Sequence, residues 1–169
     1  GKKAGSAQIN FAGQFQAELK LALTDYNMEG RTYRYFHDEP MYAFGYGLSY
    51  TTFNYGEGKL SKKSIKAGSN VNITVPVTNT GNLAGEEIVQ VYVKALDNPT
   101  APIKSLKGFQ KVNIQPGKTA KVKITLTPEA FEYYDESIDE LSVRPGKYQI
   151  LYGSSSRDED LKSLDFEVL

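Results

Sequence analysis

From residue 56 onward, hydrophobic positions recur every second residue. Val71, Ile73, Val75 and Val77 alternate with Asn72, Thr74, Pro76 and Thr78, the pattern of a strand with one buried face. Pro76 has no N–H for a ladder, so this strand is expected at a sheet edge or with a bulge. Ile88-Val89-Gln90-Val91-Tyr92-Val93 is apolar on one face and mixed on the other, and a run over 106–114 follows it. Val122, Ile124 and Leu126 alternate with lysines and a threonine. Tyr148-Gln149-Ile150-Leu151-Tyr152 makes a further run, and Leu164, Phe166 and Val168 alternate with Asp165 and Glu167. Weaker strands are expected at 59–65 and 141–143. Asn79-Thr80-Gly81-Asn82, Gln115-Pro116-Gly117-Lys118 and Arg144-Pro145-Gly146-Lys147 supply the breaks. Seven to eight short strands with turn signals every ~8–12 residues predict an all-β fold, an antiparallel sandwich of about seven strands. Thr127-Pro128-Glu129 reads as a helix start, with room for only a turn or two before Asp135.

The first fifty-five residues break this pattern. Phe11, Phe15 and Leu19 lie four apart, and residues 14–23 are expected to form a short amphipathic helix. The division expected is therefore 1–24 as a linker or non-native segment with a short helix, 25–55 as an extended aromatic arm, and 56–169 as the sandwich. The arm concentrates the main oddity of the composition: the 169 residues include 12 Tyr and no Trp, and seven of the tyrosines lie between Tyr26 and Tyr55. The rings singled out for docking or for stacking on sugars are Tyr33, Tyr35, Tyr42, Phe44, Tyr46 and Tyr50. Docking against a protein surface is the preferred reading, because Tyr is enriched at interfaces and sugar platforms commonly recruit Trp. Gly45 and Gly47 among these rings are expected to let the backbone turn tightly, since no strand and helix flank them as a phosphate loop requires.

Charge and chemistry narrow the function further. Twenty basic and twenty acidic residues give a net charge of zero, which argues against a nucleic-acid binder. No apolar run approaches the ~20 residues of a membrane span. The charge is nonetheless segregated: residues 56–123 carry eleven bases and four acids, and residues 124–169 carry four bases and eleven acids. Complementary strands facing each other in one sandwich are the preferred reading of that split, ahead of a polyanion-binding patch. Without cysteine there is no disulfide or thiolate site, and His37 alone leaves little scope for a triad or a histidine metal cluster. The acid-dense stretches 135–140 and Asp158-Glu159-Asp160 read as solvated loops, and three adjacent acids do not define a calcium site. Ser154-Ser155-Ser156 reads as a loop, and the sequon Asn72-Ile73-Thr74 as a chance match inside a strand. No catalytic residue, cofactor or metal site is expected.

Several ordered motifs carry a family resemblance. They are Tyr26-Asn27-Met28-Glu29-Gly30-Arg31-Thr32-Tyr33-Arg34-Tyr35-Phe36, Phe44-Gly45-Tyr46-Gly47-Leu48-Ser49-Tyr50-Thr51-Thr52-Phe53 and Val77-Thr78-Asn79-Thr80-Gly81. Ala84-Gly85-Glu86-Glu87-Ile88-Val89-Gln90-Val91-Tyr92-Val93, Leu106-Lys107-Gly108-Phe109-Gln110-Lys111-Val112, Tyr134-Asp135-Glu136, Pro145-Gly146-Lys147-Tyr148 and Gly153-Ser154-Ser155-Ser156 continue the series. Over about residues 25–169 the chain resembles the C-terminal part of glycoside hydrolase family 3 enzymes, the β-glucosidases and β-xylosidases. The resemblance implies an immunoglobulin/fibronectin type III-like sandwich that is non-catalytic, preceded by an arm leaving an α/β domain. It implies the parent's catalytic domains as partner and a secreted or periplasmic parent; poly- or oligosaccharide, gripped by the tyrosines, is the alternative partner, and the charge and hydropathy above leave no nucleic acid and no membrane expected. Two departures stand out: residues 8–23 lack the Pro-rich domain end usual there, and Leu141 stands where the family often has a core-anchoring Trp.

Overall fold

The computed structural model describes residues 30, 32–38, 40–98, 101–135 and 138–169. The helix expected at 14–23 and the segment 1–24 lie outside the described residues. Among the described residues, apart from one helical turn, α1 (Thr32–Tyr35), and two 3₁₀ turns, the regular structure is β.

Two sheets face each other. In the first, β4 (Val71–Asn79) is central, with β7 (Thr119–Leu126) on one side and two short strands, β1 (Phe53–Tyr55) and β2 (Lys59–Leu60), end to end on the other. The second runs β3 (Ser64–Ile65), β11 (Leu161–Val168), β10 (Gly146–Gly153), β5 (Gly85–Ala95) and β6 (Ser105–Ile114). Its pairings are antiparallel except for the short parallel contact of β3 with β11. A hairpin of β8 (Glu132–Asp135) and β9 (Glu140–Val143) stands apart.

The strict alternation of β4 places Val71, Ile73, Val75 and Val77 inward with no solvent exposure, against Val89, Val91, Ile150 and Val168 of the opposite sheet. Burying a side chain of this size contributes about 1.5–3 kcal/mol, so this one strand is a large share of the core. The turn 128–131 expected after Thr127 is one turn of 3₁₀ helix. It drives Phe131 into the core, where the ring stacks on Phe166 with centroids 5.2 Å apart and meets the Tyr148 ring edge-on at 5.6 Å. Tyr148 donates its hydroxyl to the carbonyl of Arg144, 2.6 Å away and four residues upstream. That arrangement is the tyrosine corner of sandwich folds.

Four expectations need correction. β4 is a central strand, not an edge, despite Pro76. The Pro76 carbonyl accepts from the Gly56 N–H at 2.8 Å, and in a strand a residue's N–H and C=O point the same way. The missing donor therefore falls in the gap between β1 and β2, and the β7 ladder loses nothing. The weak strand expected over 59–65 is two strands in different sheets: Ser61 ends the first by donating to the Asn72 carbonyl, and the chain then crosses over. Leu141 is no core anchor; it is 64% exposed on β9, opposite Tyr134. Finally, the charged blocks do not interleave along neighbouring strands. Lys121 and Lys123 face Pro76 and Thr74, while Asp165 and Glu167 lie in the other sheet. The blocks meet at Lys104–Asp158 and Lys162–Glu57. The alternation of β7 and β11 explains this, since each strand turns its charges away from the core.

Asn79 closes the end of the sandwich. Fully buried, it donates from Nδ2 to the carbonyls of Leu83 (2.7 Å) and Ile114 (2.8 Å). Its Oδ1 accepts from the Thr51 hydroxyl at 2.7 Å and the Gly81 N–H at 3.0 Å. At the same end, Gly117 takes a positive φ and Lys118 N–H bonds the Gln115 carbonyl, the turn expected from Pro116-Gly117. Tyr55 of β1 donates to Oε1 of Glu87 on β5 at 2.6 Å, and burial pushes the Glu87 carboxyl above its ordinary range.

Replacing Asn79 with Ala leaves these groups dry, so the variant should lose about 2–4 kcal/mol in urea unfolding with an unchanged slope. Asn79→Asp should lose a similar amount, because a carboxylate cannot donate to two carbonyls. Glu87 gives a pH signature. Its folded pKa is raised, so its contribution is fully present below the unfolded value of about 4.3 and is lost as pH rises through the folded one. Glu87→Gln keeps an acceptor for Tyr55 and should be stabilising at pH 7 relative to wild type, with the gain vanishing near pH 4.

Candidate functional site

β5 explains where the arm goes. Its inward residues are valines, but Gln90 and Tyr92, on the outer face of the sheet, are buried as well. The arm covers them. Tyr33, at the start of α1, accepts the Leu106 N–H on its hydroxyl at 2.9 Å. Its ring stacks on Phe44 at 4.2 Å and meets Tyr92 edge-on at 6.1 Å. Burial raises the pKa of Tyr92, which stays a neutral donor and gives its hydroxyl proton to Gln90 Oε1. Gln90 Nε2 then donates to the carbonyls of Gly45 and Ser154. A single amide thereby joins the arm, the sheet and the loop that follows β10.

That loop completes the seat. The Ser156 N–H donates to the Phe44 carbonyl at 2.8 Å, and Arg34 offers its carbonyl to the Ile103 N–H at 2.7 Å. Buried Lys104 reaches the Ser156 carbonyl at 2.7 Å and the exposed carboxylate of Asp158. Ser155, also buried, donates to Asp160 at 2.6 Å. Two of the three acids at 158–160 are thus engaged, Asp158 by Lys104 before β6 and Asp160 within the loop. Among the described residues no group of three or more His, Asp or Glu side chains is placed to hold a metal ion. His37 is exposed, on the rim of a cavity of about 360 Å³ between the arm and this loop, with Lys104, Arg157 and Asp158 on the other wall.

Gly45 has φ +79°, and a Cβ there would lie 2.1 Å from Gln90 Oε1, so both backbone and space require glycine. Gly47 has no atom within 4 Å of a would-be Cβ, and the tight-turn expectation for it has no counterpart.

Of the six rings singled out in the arm, Tyr33 faces the sandwich and Tyr35 is half-buried. The others face outward: Tyr42 is 61% exposed, Tyr50 98%, and Phe44 and Tyr46 somewhat less than half. Tyr42 and Tyr46 lie against each other at 5.6 Å, and the Arg157 guanidinium sits 5.9 Å above the Tyr46 ring. Met41 and Leu48, the latter 91% exposed, complete an apolar strip over 41–50. Sequence reasoning overlooked Gln90, Lys104, Ser155 and Ser156, which hold the strip in place. The signal for Gln90 was the mixed second face of β5: a Gln and a Tyr among valines is polar enough for an outer face yet too bulky to be left bare.

Comparison with known proteins agrees with this architecture. Residues 87–156 match the fibronectin type III-like domain family. The chain is 49% identical over 140 residues to a xylan 1,4-β-xylosidase of Xylanibacter ruminicola, covering 83% of this chain and 16% of that protein. It is 45% identical over 134 residues to the thermostable β-glucosidase B of Acetivibrio thermocellus, covering 77% and 18%. Among solved structures, a β-glucosidase from Erythrobacter marinus superposes with a TM-score of 0.72 at 35% identity, over 87% of this chain and 20% of that one. The chain therefore spans less than a fifth of the curated relatives named. It belongs to the fibronectin type III-like portion of the glycoside hydrolase family 3 β-glucosidases and β-xylosidases, an accessory and non-catalytic part of those enzymes.

Proposed function

We propose that this chain stabilises and positions the catalytic domains of a larger glycosidase acting on terminal β-D-glucosides or β-D-xylosides, and that the strip over 41–50 is the surface on which they dock. The observation that carries this reading is the two-sidedness of the arm. Tyr33 and the Gly45 carbonyl are committed to the sandwich, while Met41, Tyr42, Tyr46, Leu48 and Tyr50 project outward without a cover. Contiguous exposed apolar surface of this kind marks an interaction site. Rings already held by backbone bonds lose little conformational freedom on binding. The names of the relatives supply the substrate class.

The isolated chain should turn over neither aryl β-glucosides nor aryl β-xylosides; an enzyme-like rate would overturn the reading. Combining Tyr42→Ser, Leu48→Ser and Tyr50→Ser should lower the thermal midpoint of the parent enzyme by several degrees while leaving that of the isolated chain unchanged. Equal midpoints for variant and wild-type parent would remove the docking role. Presentation of the strip depends on Gly45, so Gly45→Ala should cost about 1–3 kcal/mol in denaturant unfolding and expose 41–50 to limited proteolysis. Gly47→Ala should stay within about 0.5 kcal/mol of wild type.

A further inference from the structure

The outer face of the first sheet is polar and cationic. Four cross-strand rows make it up. Ser61, Asn72 and Thr125 form the first, and Lys59, Thr74 and Lys123 the second. Pro76 and Lys121 form the third, and Asn54, Thr78 and Thr119 the fourth. The rows contain three lysines and no carboxylate, and no acidic residue occurs anywhere in 58–85 or 98–128. The nearest acid in sequence, Glu57, is engaged by Lys162 of the other sheet at 2.5 Å. Lys59 and Lys123 stand on either side of Thr74, two strand spacings or about 10 Å apart, and Lys121 lies about 7 Å along β7 from Lys123. Polar side chains in the rows that flank them are fixed by one another: Thr78 to Thr119 at 2.7 Å, and Thr125 to Asn72 at 2.7 Å.

We infer that this face binds a carboxylate-bearing polysaccharide, such as a polyuronide. Charge complementarity selects an anionic partner, and the makeup of the face selects among anions. Pro76 is the one apolar side chain in the rows, and no aromatic ring is present. Single-stranded nucleic acid is gripped by stacking its bases on aromatic rings, and a membrane surface by inserting apolar side chains; this face has neither. A protein interface of ordinary stability needs an apolar centre, which is also missing. What remains is a hydroxyl- and amide-rich surface with cations at intervals, suited to an extended chain that carries hydroxyls throughout and carboxylates periodically. Because the whole molecule has zero net charge, any such affinity belongs to the face and not to overall charge. The face lies on the first sheet, whereas the apolar strip over 41–50 is held against the second, so the inference is independent of the docking role.

The test is affinity electrophoresis of the full 169-residue chain in gels containing polygalacturonate, neutral xylan or oligo(dT). Polygalacturonate should retard the chain, with the effect fading from about 0.05 to about 0.5 M NaCl as screening grows. Neutral xylan should not retard it. The triple variant Lys59→Ala, Lys121→Ala, Lys123→Ala should weaken retardation about tenfold or more. The double variant Lys94→Ala, Lys147→Ala, on the other sheet, should leave it unchanged. All five side chains are charged groups on strand outer faces, so an unchanged melting curve verifies that each variant is folded. Absence of retardation of the wild type, an unaffected triple variant, equal loss in the double variant, or tighter binding to oligo(dT) would each overturn the assignment.

Discussion

A side-chain amide sealed from water must find every partner within the chain, and two such amides organise this molecule. Asn79 gathers four groups at one end of the sandwich: the arm at Thr51, the loop at Gly81 and Leu83, and the end of β6 at Ile114. Gln90 gathers the arm at Gly45, the loop at Ser154 and the hydroxyl of Tyr92. Each would be costly to bury half-satisfied. The consequence is that the arm has one path across the sheet, fixed at two amides on neighbouring strands of opposite sheets. Hydrophobic burial supplies most of the stability, yet these amides decide where the arm lies.

That placement makes the two outer faces of the sandwich chemically unlike. One outer face, that of β5 and its neighbours, is closed by the arm and ends in an apolar strip. The other, that of β4 and β7, is uncovered by the arm and cationic. The acids of β11 lie in the second sheet with the lysines of β5 and β6, so the first sheet, whose β4 and β7 carry no carboxylate, is the one left without acids.

The elements most legible in the sequence were those with one face in water. β4, β7 and β11 alternate strictly, and their inward residues are the core. β5 read as mixed because both its faces are covered, one by a segment far away in the chain. The hairpin of β8 and β9 carries little alternation, since much of it is solvated on both sides. β1 was absorbed into the arm because three residues are too few to show a period. Pro76 misled for a physical reason: a proline is excluded from a central strand only when its missing donor is needed, and a neighbouring gap is a tertiary fact. In the site, the aromatic rings were visible as composition, and their division into inward and outward sets was not. That division depends on backbone bonds to Leu106 and Ser156 more than sixty residues away. Asn79 looked like any turn residue, because an amide that bonds the N–H two residues on is common in turns.

The interruption beside Pro76 also bears on the order in which the molecule can be assembled. Because β1 and β2 do not merge, the backbone between them is free to meet the other sheet. There the Tyr152 hydroxyl accepts the Gly58 N–H at 2.7 Å and donates to the Gly56 carbonyl at 3.2 Å. These contacts join residues 94 and 96 positions apart. A ribosome-bound chain that has emerged only as far as β7 can form the central ladder, but it lacks the tyrosine that fastens its first edge. Closure of that edge therefore waits for synthesis of β10, so a growing chain presents an open sheet margin until the penultimate strand arrives.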